Sequence, residues 1–201
     1  MRRIKEKKER ALGVKLFLKA ERCSSQKCVT VRRPGKPGQH GNRRSQVTEY
    51  GKQLQEKQKI QIFFGLNNKQ VRVLFGKEDD PEKIKAALRE RLDFVTYLLG
   101  FAKSPRIARQ MVSHGHILVN GRKVTVGSFR VKKNDVIEIR PESRNSKLFE
   151  GIKDHLSHVS SPTWLKLDPN NLKGQCVASS TSDTSEFPFD VALVGQFYSR
   201  N

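Results

Sequence analysis

Acidic residues and cysteine are both scarce in this chain, and each scarcity excludes something. Twenty Asp+Glu face forty Lys+Arg across 201 residues, leaving a formal charge of +20 and a pI near 10.2. That surplus exceeds what solubility needs and builds a field that gathers a polyanion, of which nucleic acid is the commonest in a cell. Three cysteines, Cys23, Cys28 and Cys176, are too few for a disulfide framework. No export signal accompanies them, so a reducing, cytoplasmic compartment is expected. There is no long apolar run and no strongly amphipathic basic helix with aromatic anchors, which argues against a membrane partner. A hydrophobic share of 35% is low for one large core, so extended or partner-dependent segments are expected.

The cations are unevenly placed. Residues 1–60 hold 18 basic against 5 acidic residues, residues 61–100 hold 7 against 6, residues 101–160 hold 12 against 5, and residues 161–201 hold 3 against 4. Two basic regions flank a near-neutral one, whereas a merely solvated surface mixes the signs.

The opening "MRRIKEKKER" is a charge run with little to bury, and "GVKLFL" adds an apolar cluster too small to fold by itself. In "VRRPGKPGQHGNRR" proline excludes helix interior, glycine permits close backbone approach, and the cations suit phosphate. Residues 1–45 therefore read as a basic, extended arm that RNA would order. Thr48 can cap a helix over "EYGKQLQEKQKIQIFFG", with Leu54, Gln58 and Ile62 on one face and Gly65 at its end. "NNKQVRVLFG" reads as a second short helix.

Asp80-Pro81-Glu82 has the residue types of a helix start, and Ile84, Leu88, Leu92, Val95 and Leu99 continue one apolar face to a stop at Gly100. Inside it lies "RLDFVT", which resembles the active-site signature of pseudouridine synthases, where the Asp attacks uridine. Two observations oppose that role for Asp93. It lies within a regular helical pattern beside the core position Leu92, and no glycine follows the Thr. The expectation is an Asp paired with a neighbouring arginine, Arg89 or Arg91.

Ser104-Pro105 opens another helix, "PRIARQMVS", whose Ile107, Ala108, Met111 and Val112 share one side and whose Arg106, Arg109, Gln110 and Ser113 share the other. "HILVNGRKVTV" is a hairpin signal: Asn120-Gly121 suits a two-residue turn, with Ile117, Val119, Val124 and Val126 facing inward. "RVKKND" supplies another turn, and "DVIEIR" a third strand with Ile137 and Ile139 buried. Two helices and a short twisted sheet form a module of roughly fifty residues.

The stretch "RLDFVTYLLGFAKSPRIARQMVSHGHILVNGRKVTVGSFRVKKNDVIEI" resembles the RNA-binding domain of the small-subunit ribosomal protein S4 family. "KPGQHG", "YGKQLQEKQKI", "PTWLKLD" and "QFYSR" resemble further segments of the same family in the same order, so the likeness spans nearly the whole chain. It implies an α+β fold in three parts: the basic arm 1–45, a mainly helical domain made of 46–90 with 145–201, and the S4-type module 91–144. It also implies a structural, non-enzymatic protein that binds small-subunit ribosomal RNA, nucleates assembly of the 5′ domain and supports decoding accuracy. The implied neighbours are small-subunit proteins S3 and S5 and the path along which mRNA enters. Carried over, Arg106, Arg109, Gln110, His114, His116, Asn120, Arg122 and Lys123 form the central RNA face. Arg2, Arg3, Arg32, Arg33, Lys36, His40, Arg43 and Arg44 form the arm, with Lys52, Lys57 and Lys59 beside it. The alternative is an RNA-modifying enzyme of pseudouridine synthase type carrying the same domain, for which no catalytic segment is recognisable.

Many members of that family carry an N-terminal zinc site built from two cysteine pairs. This chain has only Cys23 and Cys28 there, with Glu6 and Glu9 near where the first pair would fall. Two thiolates do not complete a tetrahedral site, so no metal and no other cofactor is expected. Phe94, where the family usually has Asn, and a short stretch before Asp80 are further departures.

Overall fold

The computed structural model describes residues 6–23, 25–41, 46–180 and 187–199. Arg2, Arg3, Arg43 and Arg44 lie outside them. The chain divides into two compact units, residues 1–84 with 186–201, and residues 85–185.

In the first unit the described part of the arm is not wholly extended. It forms three short helices, α1 (Lys7–Leu12), α2 (Ala20–Cys23) and α3 (Val29–Arg32). The organiser is Glu9, only 2% exposed, whose Oε1 accepts from the backbone N–H groups of Leu16 at 2.9 Å and Leu18 at 3.2 Å. Those bonds fold the segment back so that Leu16, Leu18, Cys23 and Cys28 are buried together. Composition alone hid this, because one buried carboxylate satisfies backbone donors that a charge run seems to leave to water.

Helix α4 (Glu49–Phe63) starts where Thr48 caps it, the hydroxyl accepting from Gly51 N–H at 3.2 Å. Its buried residues are Gln53, Ile60 and Phe63, while Gln58 is exposed, so the inward face differs from the Leu54–Gln58–Ile62 stripe. The aromatic rings decide it: Phe63 and Phe64 pack edge-on against Phe189 at 5.8 and 6.1 Å. Helix α5 (Asn68–Phe75) begins at a reciprocal Asn67–Gln70 capping box. The C-terminal helix here called α10 (Val191–Ser199) lays Val191, Val194 and Phe197 against α4 and α5.

The expected single helix from 80 to 99 is two. Helix α6 (Pro81–Arg89) ends before Arg91, whose φ of −64° and ψ of 132° are extended, and α7 (Leu92–Leu98) starts anew. The break lets the backbone pair with another segment: Leu92 N–H donates to Phe129 C=O at 2.8 Å, and Val131 N–H to Glu90 C=O at 2.8 Å. Apolar spacing survives such a break because one extended residue need not disturb which side faces the core.

The second unit contains α7, α8 (Pro105–Ser113), α9 (Ile152–Ser157) and a five-stranded antiparallel sheet. Its strands are β1 (Ile117–Val119), β2 (Arg122–Lys123), β3 (Val136–Ile139), β4 (Leu165–Asp168) and β5 (Lys173–Cys176), in the order β2-β1-β3-β5-β4. The sheet core joins Leu92 and Val95 of α7 and Leu99, which caps it, with Met111 and Val112 of α8, and with Ile117, Ile137, Ile139 and Trp164. Gly174 of β5 lets the sheet meet α7, since a Cβ there would collide with the Leu99 methyls. Residues 145–180 thus lie in the unit of the S4-type module, where sequence had grouped them with the helical domain. Strands β4 and β5, each four residues long, are too short to be read from periodicity. Val126 is 58% exposed rather than inward, because β2 ends at Lys123.

Candidate nucleic-acid interface

Helix α8 sets the first part of the surface. Ser104, fully buried, caps it by accepting from Ile107 N–H at 3.3 Å, and Pro105 occupies its first turn. Ala108, Met111 and Val112 are buried, while Gln110, Ser113 and His114 are exposed and Arg106 and Arg109 partly so. The facing expected from sequence therefore holds in its packing.

The hairpin sets the second part. Asn120 and Gly121 both take positive φ, 50° and 75°. The Asn120 side chain is spent within the fold: its amide donates to Asp135 at 2.8 Å and its oxygen accepts from Val136 N–H at 2.9 Å. It positions the hairpin rather than standing free as a donor. Arg122 and Lys123 are exposed and form no ion pair among the described residues. His116 is half-buried, its Nδ1 2.9 Å from the Ser143 hydroxyl, with Phe149 edge-on at 6.0 Å. Burial first, then the charges of His114, Arg140 and Lys123, hold its pKa below the usual histidine value.

Asp93 joins the pieces. Its side chain is 4% exposed and takes two bonds from Arg91, Nε to Oδ1 at 3.0 Å and Nη2 to Oδ2 at 2.6 Å, with Arg109 Nη1 at 3.9 Å. The partner is Arg91 and the pair is buried, reaching across to α8. Burial pushes the carboxyl up, against the opposing pull of Arg91 and Arg109. A carboxylate clamped by a bidentate guanidinium has no open side from which to attack a substrate.

Further cations surround the module. Arg130, Lys132 and Lys133 are exposed and form no ion pair among the described residues. Sequence reading missed them by taking "RVKKND" as a turn only; the cationic run itself was the available signal.

In the first unit Arg32, Arg33, Lys36 and His40 are all exposed. Arg10 bridges the carbonyls of Arg33 and Gly35 at 2.8 Å each, giving the loop a fixed start. The tight turn at 36–41 needs glycine at Gly41, where a Cβ would run into the Lys36 carbonyl. The α4 lysines are less available. Lys52 lies near Glu49 at 3.4 Å, Lys59 is tied to Glu56, and the Lys57 ammonium sits 4.4 Å above the Phe197 ring, its pKa lowered by burial.

The residues at Cys23 and Cys28 do not fit a metal. Among the described residues no three His, Cys, Asp or Glu side chains come together in a way that could hold an ion. Glu9 is committed to backbone donors, and the Cys23 sulfur lies 3.9 Å from both of its oxygens. Burial pushes the Cys23 thiol up from its usual value. Burial also raises the Cys28 thiol, but bonds from Thr30 and Val31 and the charge of Lys15 bring it below its usual value.

Among the described residues no helix is long and apolar enough to cross a membrane. Residues 1–97 match the family model described as the ribosomal protein S4/S9 N-terminal domain, and residues 90–137 match the S4 domain. The chain is 42% identical over 193 residues to a small ribosomal subunit protein uS4 from Halothermothrix orenii, covering 94% of this chain and 93% of that relative. The relative of the same name from Caldicellulosiruptor bescii is also 42% identical, with the same coverage. One from Thermotoga petrophila is 40% identical over 194 residues, again with 94% of this chain and 93% of the relative covered.

Proposed function

The chain belongs to the small ribosomal subunit protein uS4 family, a family of structural ribosomal proteins rather than enzymes, and on that premise we propose that it binds small-subunit ribosomal RNA directly and nucleates folding of the 5′ domain. The observation that carries the reading is the set Arg122, Lys123, Arg130, Lys132 and Lys133, five exposed cations without a carboxylate partner among the described residues, all within the second unit. A protein that needed charge only for solubility would pair or intersperse them. Folded RNA is read through shape, phosphate and 2′-hydroxyl groups, which suits Arg, Lys, Gln and His on a fixed surface.

In this reading Gln110, His114, Arg122 and Lys123 contact RNA directly, Arg106 and Arg109 border them, and Asn120 and His116 hold the surface in shape. The arm, with Arg32, Arg33, Lys36 and His40, threads between RNA helices and gains order there. In the assembled small subunit, in the cytoplasm or its organellar equivalent, the protein lies beside S3 and S5 near the path along which mRNA enters, and supports decoding accuracy from that place. Sedimentation of small subunits through high salt tests the reading. An integral protein stays with the particle, whereas a loosely held basic protein washes off and refutes it.

A further inference from the structure

The connection between β2 and β3 is held unusually firmly for a surface loop. Asp93 N–H donates to Gly127 C=O at 3.2 Å, Leu92 N–H to Phe129 C=O at 2.8 Å, and Phe129 N–H to Val126 C=O at 3.1 Å. Gly127 lies so close to α7 that a Cβ on it would come within 2.8 Å of Asp93 Oδ2. Asp93 therefore holds this loop through its backbone N–H, with the carboxylate that anchors Arg91 lying close against Gly127.

Phe129 follows on that segment, 38% exposed, and among the described residues no other ring or cation packs on it. A lone exposed phenylalanine needs no explanation. This one has both its backbone N–H and its C=O bonded within the fold, and exposed Arg130, Lys132 and Lys133 follow it in sequence. An aromatic face fixed among unpaired cations is the pattern that recognises an unpaired base with its phosphates. An apolar protein partner would gain nothing from burying three such cations beside the ring.

We propose that Phe129 is a stacking platform for one unstacked base of ribosomal RNA, that Arg130 and Lys132 take the adjoining phosphates, and that Asp93 is a positioning residue for the loop. This deepens the RNA-binding reading and rests on it. Stacking is nearly independent of salt, while phosphate pairing is not, so the two contributions separate in one experiment.

The affinity of the full chain for a small-subunit rRNA transcript is measured over a range of salt for wild type, Phe129→Leu and Phe129→Trp. Phe129→Leu should bind about 5- to 150-fold more weakly with an unchanged salt slope, and Phe129→Trp should retain or improve binding. In the Trp variant the new indole should lose emission on RNA binding, while fully buried Trp164 gives a constant background. Asp93→Asn supplies the positioning test: it removes a negative charge, so bulk attraction alone predicts tighter binding, whereas a loosened platform predicts weaker binding. Equal affinity of Phe129→Leu and wild type overturns the stacking site while leaving the RNA-binding reading intact. Loss of the Leu variant from assembled subunits without loss of affinity for naked rRNA also overturns it, by assigning the ring to a protein neighbour. A wild-type chain that does not bind the transcript overturns both.

Discussion

Arg91 holds Asp93 through two parallel hydrogen bonds, at 3.0 and 2.6 Å, although the residues are only two apart in sequence and the side chains are 12% and 4% exposed. The geometry is possible because Arg91 is extended and Asp93 lies in the first turn of a new helix. Removing the carboxylate leaves a mostly buried guanidinium without its counter-ion. Asp93→Ala should therefore destabilise the second unit by about 3–5 kcal/mol. Asp93→Asn should cost less, since an amide oxygen still accepts from Arg91. An Arg91→Met, Asp93→Leu double variant should recover most of the loss, because replacing both charges by apolar groups removes their burial cost as well. Denaturant unfolding checks this order; a double variant worse than Asp93→Ala would contradict it.

Glu9 gives a second prediction, concerning the arm. Its carboxylate satisfies Leu16 and Leu18 N–H groups in a buried setting. Glu9→Ala leaves those donors without partners at about 1–3 kcal/mol each, enough to open the local fold. Faster hydrogen exchange at Leu16 and Leu18, and faster labelling of Cys23 by a thiol reagent, should report it. A chelator should leave both rates of the wild-type chain unchanged; acceleration by the chelator would show that a metal holds this segment.

What the sequence disclosed and what it hid follow a physical division. Thr48 and Ser104 announced helix starts because capping is local chemistry, and Asn120-Gly121 announced its turn for the same reason. The break at Arg91 was invisible, since its cause is pairing with residues 127–131 far along the chain. Strands β4 and β5 were missed because such short segments are fixed by the sheet they join rather than by their own pattern. In the candidate site, residue types pointed to RNA, but which cations are spent inside the fold depends on contacts. Arg109 leans on Asp93 and Lys57 on Phe197, whereas Arg130 and Lys132 stand clear.

His116 makes stability depend on pH. Burial, then the neighbouring charges of His114, Arg140 and Lys123, lower its pKa in the folded chain. As pH falls, the unfolded chain takes up this proton first, so the contribution is fully present above the ordinary value of about 6.5 and is lost as pH drops through the lowered folded value. Thermal unfolding from about pH 7.5 down to about pH 5 should show a decline that is smaller in His116→Gln. Parallel curves for the two proteins would remove His116 as the cause.

Gly174 tests how the sheet is seated. A methyl there meets the Leu99 side chain, which is fully buried. Gly174→Ala should cost about 1–3 kcal/mol through overpacking. Adding Leu99→Val should relieve the clash and give a double variant more stable than the sum of the single effects.

The last prediction concerns the count of phosphates. Each cation that pairs with a phosphate releases about 0.7–0.9 of a counter-ion, so the slope of log affinity against log salt counts the pairs. Arg122 and Lys123 form no ion pair among the described residues, whereas Arg91 is already neutralised by Asp93. Replacing Arg122 and Lys123 together by alanine should therefore flatten the slope by about 1.4–1.8, with little change in thermal stability because both side chains are exposed. Arg91→Ala should do the reverse, lowering stability while leaving the slope nearly unchanged. If Arg91→Ala flattens the slope and the hairpin pair does not, then the cations that meet RNA are those the fold has paired, and the proposed face is on the wrong side of the module.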